Sequence, residues 1–190
     1  MFTVRHKLLT LCIVLTLCVV SLGAYVRLSD AGLGCPDWPG CYGKLLGVPD
    51  NHTEISHAEN AFPHAPVETG KAWKEMIHRY LAGILGLLIA ALAVLSIWPR
   101  RHATLVAPSL FLVGLVGVQA ALGMLTVTWL LKPVIVTLHL LGGMFILAIL
   151  VGMYAKQSVA RVEFSTPTLK AAAWAVTALI VIQIALGGWT

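Results

Sequence analysis

Charge is what this sequence has least of. Only 11% of its 190 residues are charged, against about 25% in an ordinary soluble domain. Hydrophobic residues make up 58% and the mean hydropathy is +0.87, so lipid is the natural solvent of most of the chain. The net charge of +5 comes without a basic stripe or interleaved aromatics, which excludes nucleic acid as a partner. The basic residues sit at the ends of apolar runs, where they anchor helices and set orientation. No small-x-small cleavage site follows the first apolar stretch, so it reads as a membrane helix and not as a signal peptide.

A hydrocarbon core about 30 Å thick needs about 20 apolar helical residues. Five runs qualify, at 8–26, 76–98, 103–128, 134–154 and 171–190. None has a charge in its middle, and Arg27 and Arg79 sit at ends, where they can snorkel to the headgroups. The expected fold is all-α and polytopic. The first four runs form an antiparallel transmembrane bundle, because their later links are short. Those links are Pro99-Arg100-Arg101-His102, a Leu131-Lys132-Pro133 turn, and a polar segment from Lys156 to Lys170. The first link, 28–74, is long and polar.

Arg5, Lys7, Arg100, Arg101, Lys156, Arg161 and Lys170 fall on one side with a single acid, Glu163. The positive-inside rule then makes the N-terminus cytoplasmic and loop 28–74 periplasmic, in an inner (plasma) membrane. Gln119-Ala120-Ala121-Leu122-Gly123 recurs as Gln183-Ile184-Ala185-Leu186-Gly187, and Ser21-Leu22-Gly23-Ala24-Tyr25 echoes Ala185-Leu186-Gly187-Gly188-Trp189. Small residues there suit close helix packing. Duplication is the sharper explanation. It gives a four-helix half over 1–168, and in 169–190 the first helix of a second half that continues beyond Thr190.

His78 and His139 are the most informative residues. They are read in the first turn of the second membrane helix and the second turn of the fourth, about 5 and 8 Å in at 1.5 Å per residue. Both helices start on the outer side. Two imidazoles at matched depth on parallel helices can grip a flat iron porphyrin from both faces. Ala82 and Gly86 beside His78, and Gly142 and Gly143 beside His139, leave room for the ring. The blander reading bonds each histidine to a carbonyl. The pair favours ligation, because ionisable residues within a membrane are costly and tend to be functional.

Glu75 shares the His78 face. It is either a carboxylate stabilised by the helix dipole or an acid, base or hydrogen-bond partner beside a porphyrin. Arg79 can pair with Glu75 at i+4 or hold a haem propionate, and spacing leaves both open. In the loop, Cys35 and Cys41 stand six apart among prolines and glycines and can close a short disulfide in an oxidising compartment. Cys12 and Cys18 lie within the first run and read as packing residues. His52, His57 and His64 have spacings of five and seven, which match no zinc signature, so a solvated lid is the better reading of that loop.

At these residues the chain resembles the haem A synthase family. The resemblance rests on Gly-Ala-Tyr-Val-Arg-Leu-Ser-Asp-Ala-Gly-Leu-Gly-Cys-Pro-Asp-Trp-Pro-Gly-Cys at 23–41, Glu-Met-Ile-His-Arg-Tyr-Leu-Ala-Gly at 75–83 and His-Leu-Leu-Gly-Gly at 139–143. It implies an oxidoreductase that hydroxylates one methyl group of haem O stepwise, with loss of water, to the formyl group of haem A used by terminal oxidases. It implies two related four-helix halves, each with a histidine pair. His78 and His139 match the pair of the N-terminal half, which holds the substrate haem. Glu75 matches a functionally important glutamate, and Cys35 and Cys41 match loop cysteines that are often disulfide-bonded. Haem B belongs to the second half, which lies after Thr190. Haem O synthase, oxidase assembly factors and a second copy of the chain are candidate partners. Three rivals remain. One is a b-type electron-transfer cytochrome on the same histidines, another a thiol oxidase using Cys35 and Cys41, and the third a haem-carrying assembly factor without turnover.

Overall fold

The computed structural model describes residues 4–97, 103–158 and 166–189. The helices are α1 (Val4–Leu28), α2 (His52–Ala61), α3 (Thr69–Ile97), α4 (Ala103–Thr128), α5 (Pro133–Ser158) and α6 (Pro167–Trp189). All except α2 are long and apolar enough to span a membrane. No strand occurs among the described residues, and the one isolated bridge joins Cys41 to Lys44 in the loop. Lipid supplies no hydrogen bonds, so the apolar runs must satisfy their backbone internally as helix. This is a multi-pass membrane protein of the expected all-α class.

The helix ends have local causes. After α1, Ala31 N–H donates to Val26 O at 2.9 Å while Asp30 turns to φ 51°. After α4, Leu131 N–H donates to Thr126 O at 2.8 Å, with Leu130 and Leu131 at φ 51° and 55°. Both are left-handed terminations of the kind that satisfies the last carbonyls of a helix. Pro133 then opens α5 at the position where a missing N–H costs nothing.

Helices α1, α3, α4 and α5 close a ring. α1 packs on α3 and α5, and α4 packs on the same two. Among the described residues α3 and α5 do not pack on each other, so they stand across the bundle. α6 lies against α5 alone. At the end remote from the loop the ring is filled by Leu9, Cys12, Leu85, Ile89, Leu92, Leu105, Leu112, Ile146, Leu150 and Met153. There Ser96 and Ser109 bond at 3.2 Å and His6 lies 4.6 Å from the Tyr154 ring. Toward the loop the filling stops. No residue of 20–25, 77–84, 113–126 or 136–145 is fully buried. At this level the four helices carry half-buried side chains above a tight core.

Two expectations need correction. α3 starts at Thr69 and not near residue 76, which makes His78 its tenth residue and puts it about 14 Å in. The stretch looked like loop because it is amphipathic: Ala72, Glu75 and Met76 are buried and Lys71 and Lys74 are not. His139 is the seventh residue of α5, about 9 Å in and in the second turn as expected. The loop also contains a helix. Asn51 caps α2 by accepting Glu54 N–H at 3.0 Å, and Glu54 reaches back to Asp50 N–H at 3.3 Å. This reciprocal pairing starts a short helix inside polar sequence. Trp98, the Pro99–His102 link, Arg161, Glu163 and Thr190 lie outside the described residues.

The loop is a packed lid with its own core of Cys35, Cys41, Tyr42, Val48 and Ala58 against Ala72 and Met76 of α3. Thr69 Oγ1 donates to Pro49 O at 2.9 Å, and Gly47 N–H donates to Tyr80 Oη at 2.8 Å. Gly34 lies flat on the start of α3, where an added Cβ would stand 2.6 Å from the Lys71 carbonyl carbon. Backbone cannot give way as a flexible side chain can. Gly34→Ala is expected to lose about 1–3 kcal/mol of stability to this overpacking. Gly70→Ala, where a Cβ meets open space, should be near neutral, and denaturant unfolding of both in detergent checks the difference.

Candidate functional site

Each histidine rests on a glycine of the next helix. A Cβ at Gly23 of α1 would come 2.9 Å from Cε1 of His78 on α3. A Cβ at Gly123 of α4 would come 3.4 Å from Cε1 of His139 on α5. The carbonyl of Val19 approaches the first imidazole and that of Gln119 the second. Nδ1 of each ring is enclosed and has no hydrogen-bond partner. The two imidazoles are close enough to act on each other electrostatically. Because α3 and α5 do not pack together, the two imidazoles come from opposite sides of the bundle.

The glycines expected to make room for a ring do something else. A Cβ added at Gly86 would stand 3.3 Å from Val116 of α4, and one at Gly143 would stand 3.3 Å from Val20 of α1. The side-chain amide of Gln119 takes the place a Cβ would have at Gly142. Ala82 packs against the tight core. These residues bring helices together. Gly23 and Gly123, which do touch the imidazoles, were legible only as members of a weak Leu-Gly repeat.

One turn toward the loop lies a second cluster. Cys35 and Cys41 are disulfide-bonded with Cα atoms 4.8 Å apart. Glu75 is buried and accepts Cys35 N–H at 2.9 Å and Arg79 Nη2 at 2.5 Å. Arg79 Nη1 donates to the carbonyls of Asp37 at 2.9 Å, Pro39 at 3.4 Å, and Gly40. Arg79 therefore reaches into the lid and does not snorkel to headgroups. Asp37 in turn accepts Tyr42 N–H at 2.6 Å and Gly43 N–H at 2.8 Å. Glu75 and Arg79 thus pin the disulfide loop to the helix that carries His78. The i+4 pairing is present. A propionate contact for Arg79, or a reaction role for Glu75, would have to be added to these bonds.

Tyr42 donates to Pro66 O at 3.0 Å. Burial pushes its phenol above the ordinary tyrosine range, helped by the negative charges of Glu68, Asp37, Glu59 and Glu75. His52, His57 and His64 are exposed, and among the described residues no three His, Cys, Asp or Glu are placed to hold a metal ion. Cys12 is a buried thiol and Cys18 an exposed one.

A closed membrane bundle that holds two enclosed imidazoles across its diagonal, under a disulfide-closed lid, defines a polytopic protein with a paired-histidine site. The chain belongs to the cytochrome oxidase assembly protein family, whose model matches residues 6–190. It is 49% identical to the heme A synthase of Shewanella oneidensis, over 96% of this chain and 56% of that protein. It is 34% identical to the heme A synthase of an Exiguobacterium species, over 64% of this chain and 35% of that one. It is also 30% identical to protoheme IX farnesyltransferase 1 of Natronomonas pharaonis, over 70% of this chain but 24% of that protein. The chain thus spans about half the length of its Shewanella relative, at 56%. No solved structure matches it.

Two outcomes test the lid cluster. Arg79→Ala leaves a carboxylate buried without its partner and should cost about 3–5 kcal/mol. Arg79→Lys should not restore the loss, because one ammonium cannot hold Glu75 and three carbonyls together. The rate at which a reductant opens Cys35–Cys41 reports both. For Tyr42 the raised phenol favours the fold fully below the ordinary tyrosine range, and that contribution fades as pH rises through the raised value. Tyr42→Phe should remove this alkaline loss, as followed by proteolysis of the loop against pH.

Proposed function

We propose that this chain is the substrate-binding half of a haem A synthase, an oxidoreductase that converts a methyl group of haem O to the formyl group of haem A. The carrying observation is the pair of enclosed imidazoles on α3 and α5, two helices that stand across the bundle from each other. A buried ring nitrogen with no partner is an expensive state unless something bonds to it. Neutral imidazole is a good ligand for haem iron, and two of them on facing helices can take a flat ring from both sides. The residues therefore fit the group. The names of the Shewanella and Exiguobacterium relatives support the same reading.

The haem O held here would be the substrate: two hydroxylations of one of its methyl carbons by an external oxidant, followed by loss of water, would leave the aldehyde. The chain's own residues do the rest. His78 and His139 hold the ring from α3 and α5. The packed core beneath it keeps water away on one side, and the lid covers the other. Glu75, one turn from His78, is proposed as the acid, base or hydrogen-bond partner at the porphyrin edge. Arg79 is proposed to face a propionate while it anchors the loop. The Cys35–Cys41 bond keeps the loop carbonyls turned toward Arg79.

The charge pattern supports a cytoplasmic N-terminus, a periplasmic loop and an inner (plasma) membrane location. We read 1–168 as one half and 169–190 as the first helix of a second, which would carry haem B on its own histidines. Haem O synthase, oxidase assembly factors and a second copy of the chain are the proposed protein partners. A b-type electron-transfer cytochrome would use the same imidazoles without turnover.

Haem extracted from purified protein and separated by chromatography tests this. With haem O supplied in the host, the unaltered protein should yield haem O or haem A, and His78→Ala and His139→Ala should each lose most of it. Haem B alone in the unaltered protein would favour the electron-transfer reading. A folded protein without haem would refute ligation.

A further inference from the structure

We propose that Gly23 and Gly123 are the positioning residues of the histidine pair, and that the site is one imidazole seat used twice. The inference rests on the haem reading above and assigns a part to two helices that carry no ligand. Gly23 lies five residues before the end of α1 at Leu28, and Gly123 lies five before the end of α4 at Thr128. Each follows a leucine, as Leu22-Gly23 and Leu122-Gly123.

The surroundings of these two glycines differ from those of other packed glycines in the bundle. Gly86 and Gly143 face aliphatic side chains of neighbouring helices. The three atoms nearest a Cβ at Gly23 all belong to the His78 ring, and the atoms within reach of one at Gly123 both belong to the His139 ring. What the missing Cβ admits is an imidazole. The carbonyl that approaches each ring belongs to the residue four before the glycine, Val19 in one case and Gln119 in the other. In an α-helix that carbonyl already bonds to the N–H of the glycine itself. It has a second lone pair, and only a bare turn lets another donor reach it.

A ring N–H directed there fixes the tautomer and the rotation of the imidazole, as outer partners do for metal-bound histidines. In this arrangement α3 and α5 supply the two imidazoles, and α1 and α4 aim them. The closer approach at Gly23, 2.9 Å against 3.4 Å, makes the His78 seat the less tolerant.

The test uses the haem-loaded full chain and reads the ferric electron paramagnetic resonance spectrum and the reduction potential, neither of which needs turnover. Gly23→Ala should lose most of the low-spin signal of the unaltered protein, with the helical circular dichroism unchanged. Gly123→Ala should shift the signal and the potential in the same sense, by less. Gly117→Ala, also on α4 but facing open space, should match the unaltered protein. If Gly23→Ala does not fold, Gly123→Ala decides. Unaltered spectra and potentials in the folded glycine variants, with the signal lost in His78→Ala, would overturn the seats and leave the ligand assignment standing. A signal that survives His78→Ala would overturn the ligand reading, and the seats with it.

Discussion

Helices α3 and α5 are kept apart by the two helices between them. α1 and α4 each pack against both, so the ring closes without the diagonal pair meeting. The tight core at one end sets that separation. Toward the other end, at 20–25, 77–84, 113–126 and 136–145, the side chains of all four helices are half-buried or exposed. A membrane bundle gains little from packing apolar side chains that lipid would solvate as well, so a level without a tight core costs little. The imidazoles, their glycine seats and the lid all lie toward this end of the bundle.

The lid is tied to the site through charge. Glu75 and Arg79 are nearly enclosed, with 6% and 12% of their side chains exposed. Neither is tolerable alone at such burial. The disulfide loop resolves the problem, since its N–H and carbonyl groups complete the shells of both ions. In return, the pair fixes the loop within one helical turn of His78. Changes in the loop therefore reach the imidazole through a short rigid path, α3 itself.

The spanning helices were legible in the sequence because lipid imposes a simple rule, a long run of apolar residues without a central charge. Val4–Leu28 and Ala103–Thr128 fall close to or on the expected bounds. His78 and His139 stood out because polar residues there are rare. The start of α3 was missed because its first two turns bury only a narrow face, Ala72, Glu75 and Met76, against a loop whose fold no periodicity announces. α2 was missed because its signal is a cap at Asn51 and not an apolar run. Gly142 and Gly143 looked like haem cradles by proximity in sequence, yet helix geometry aims them at neighbouring helices. The glycines that do meet imidazoles lie on other helices, and only tertiary structure could pair them.

The central claim is that one haem is held from both faces by imidazoles on α3 and α5. Near-infrared magnetic circular dichroism of the haem-loaded ferric protein identifies the axial ligands of the iron most directly. The account predicts the charge-transfer band of two neutral imidazoles. A band characteristic of a single histidine, with water or another side chain opposite, would contradict it.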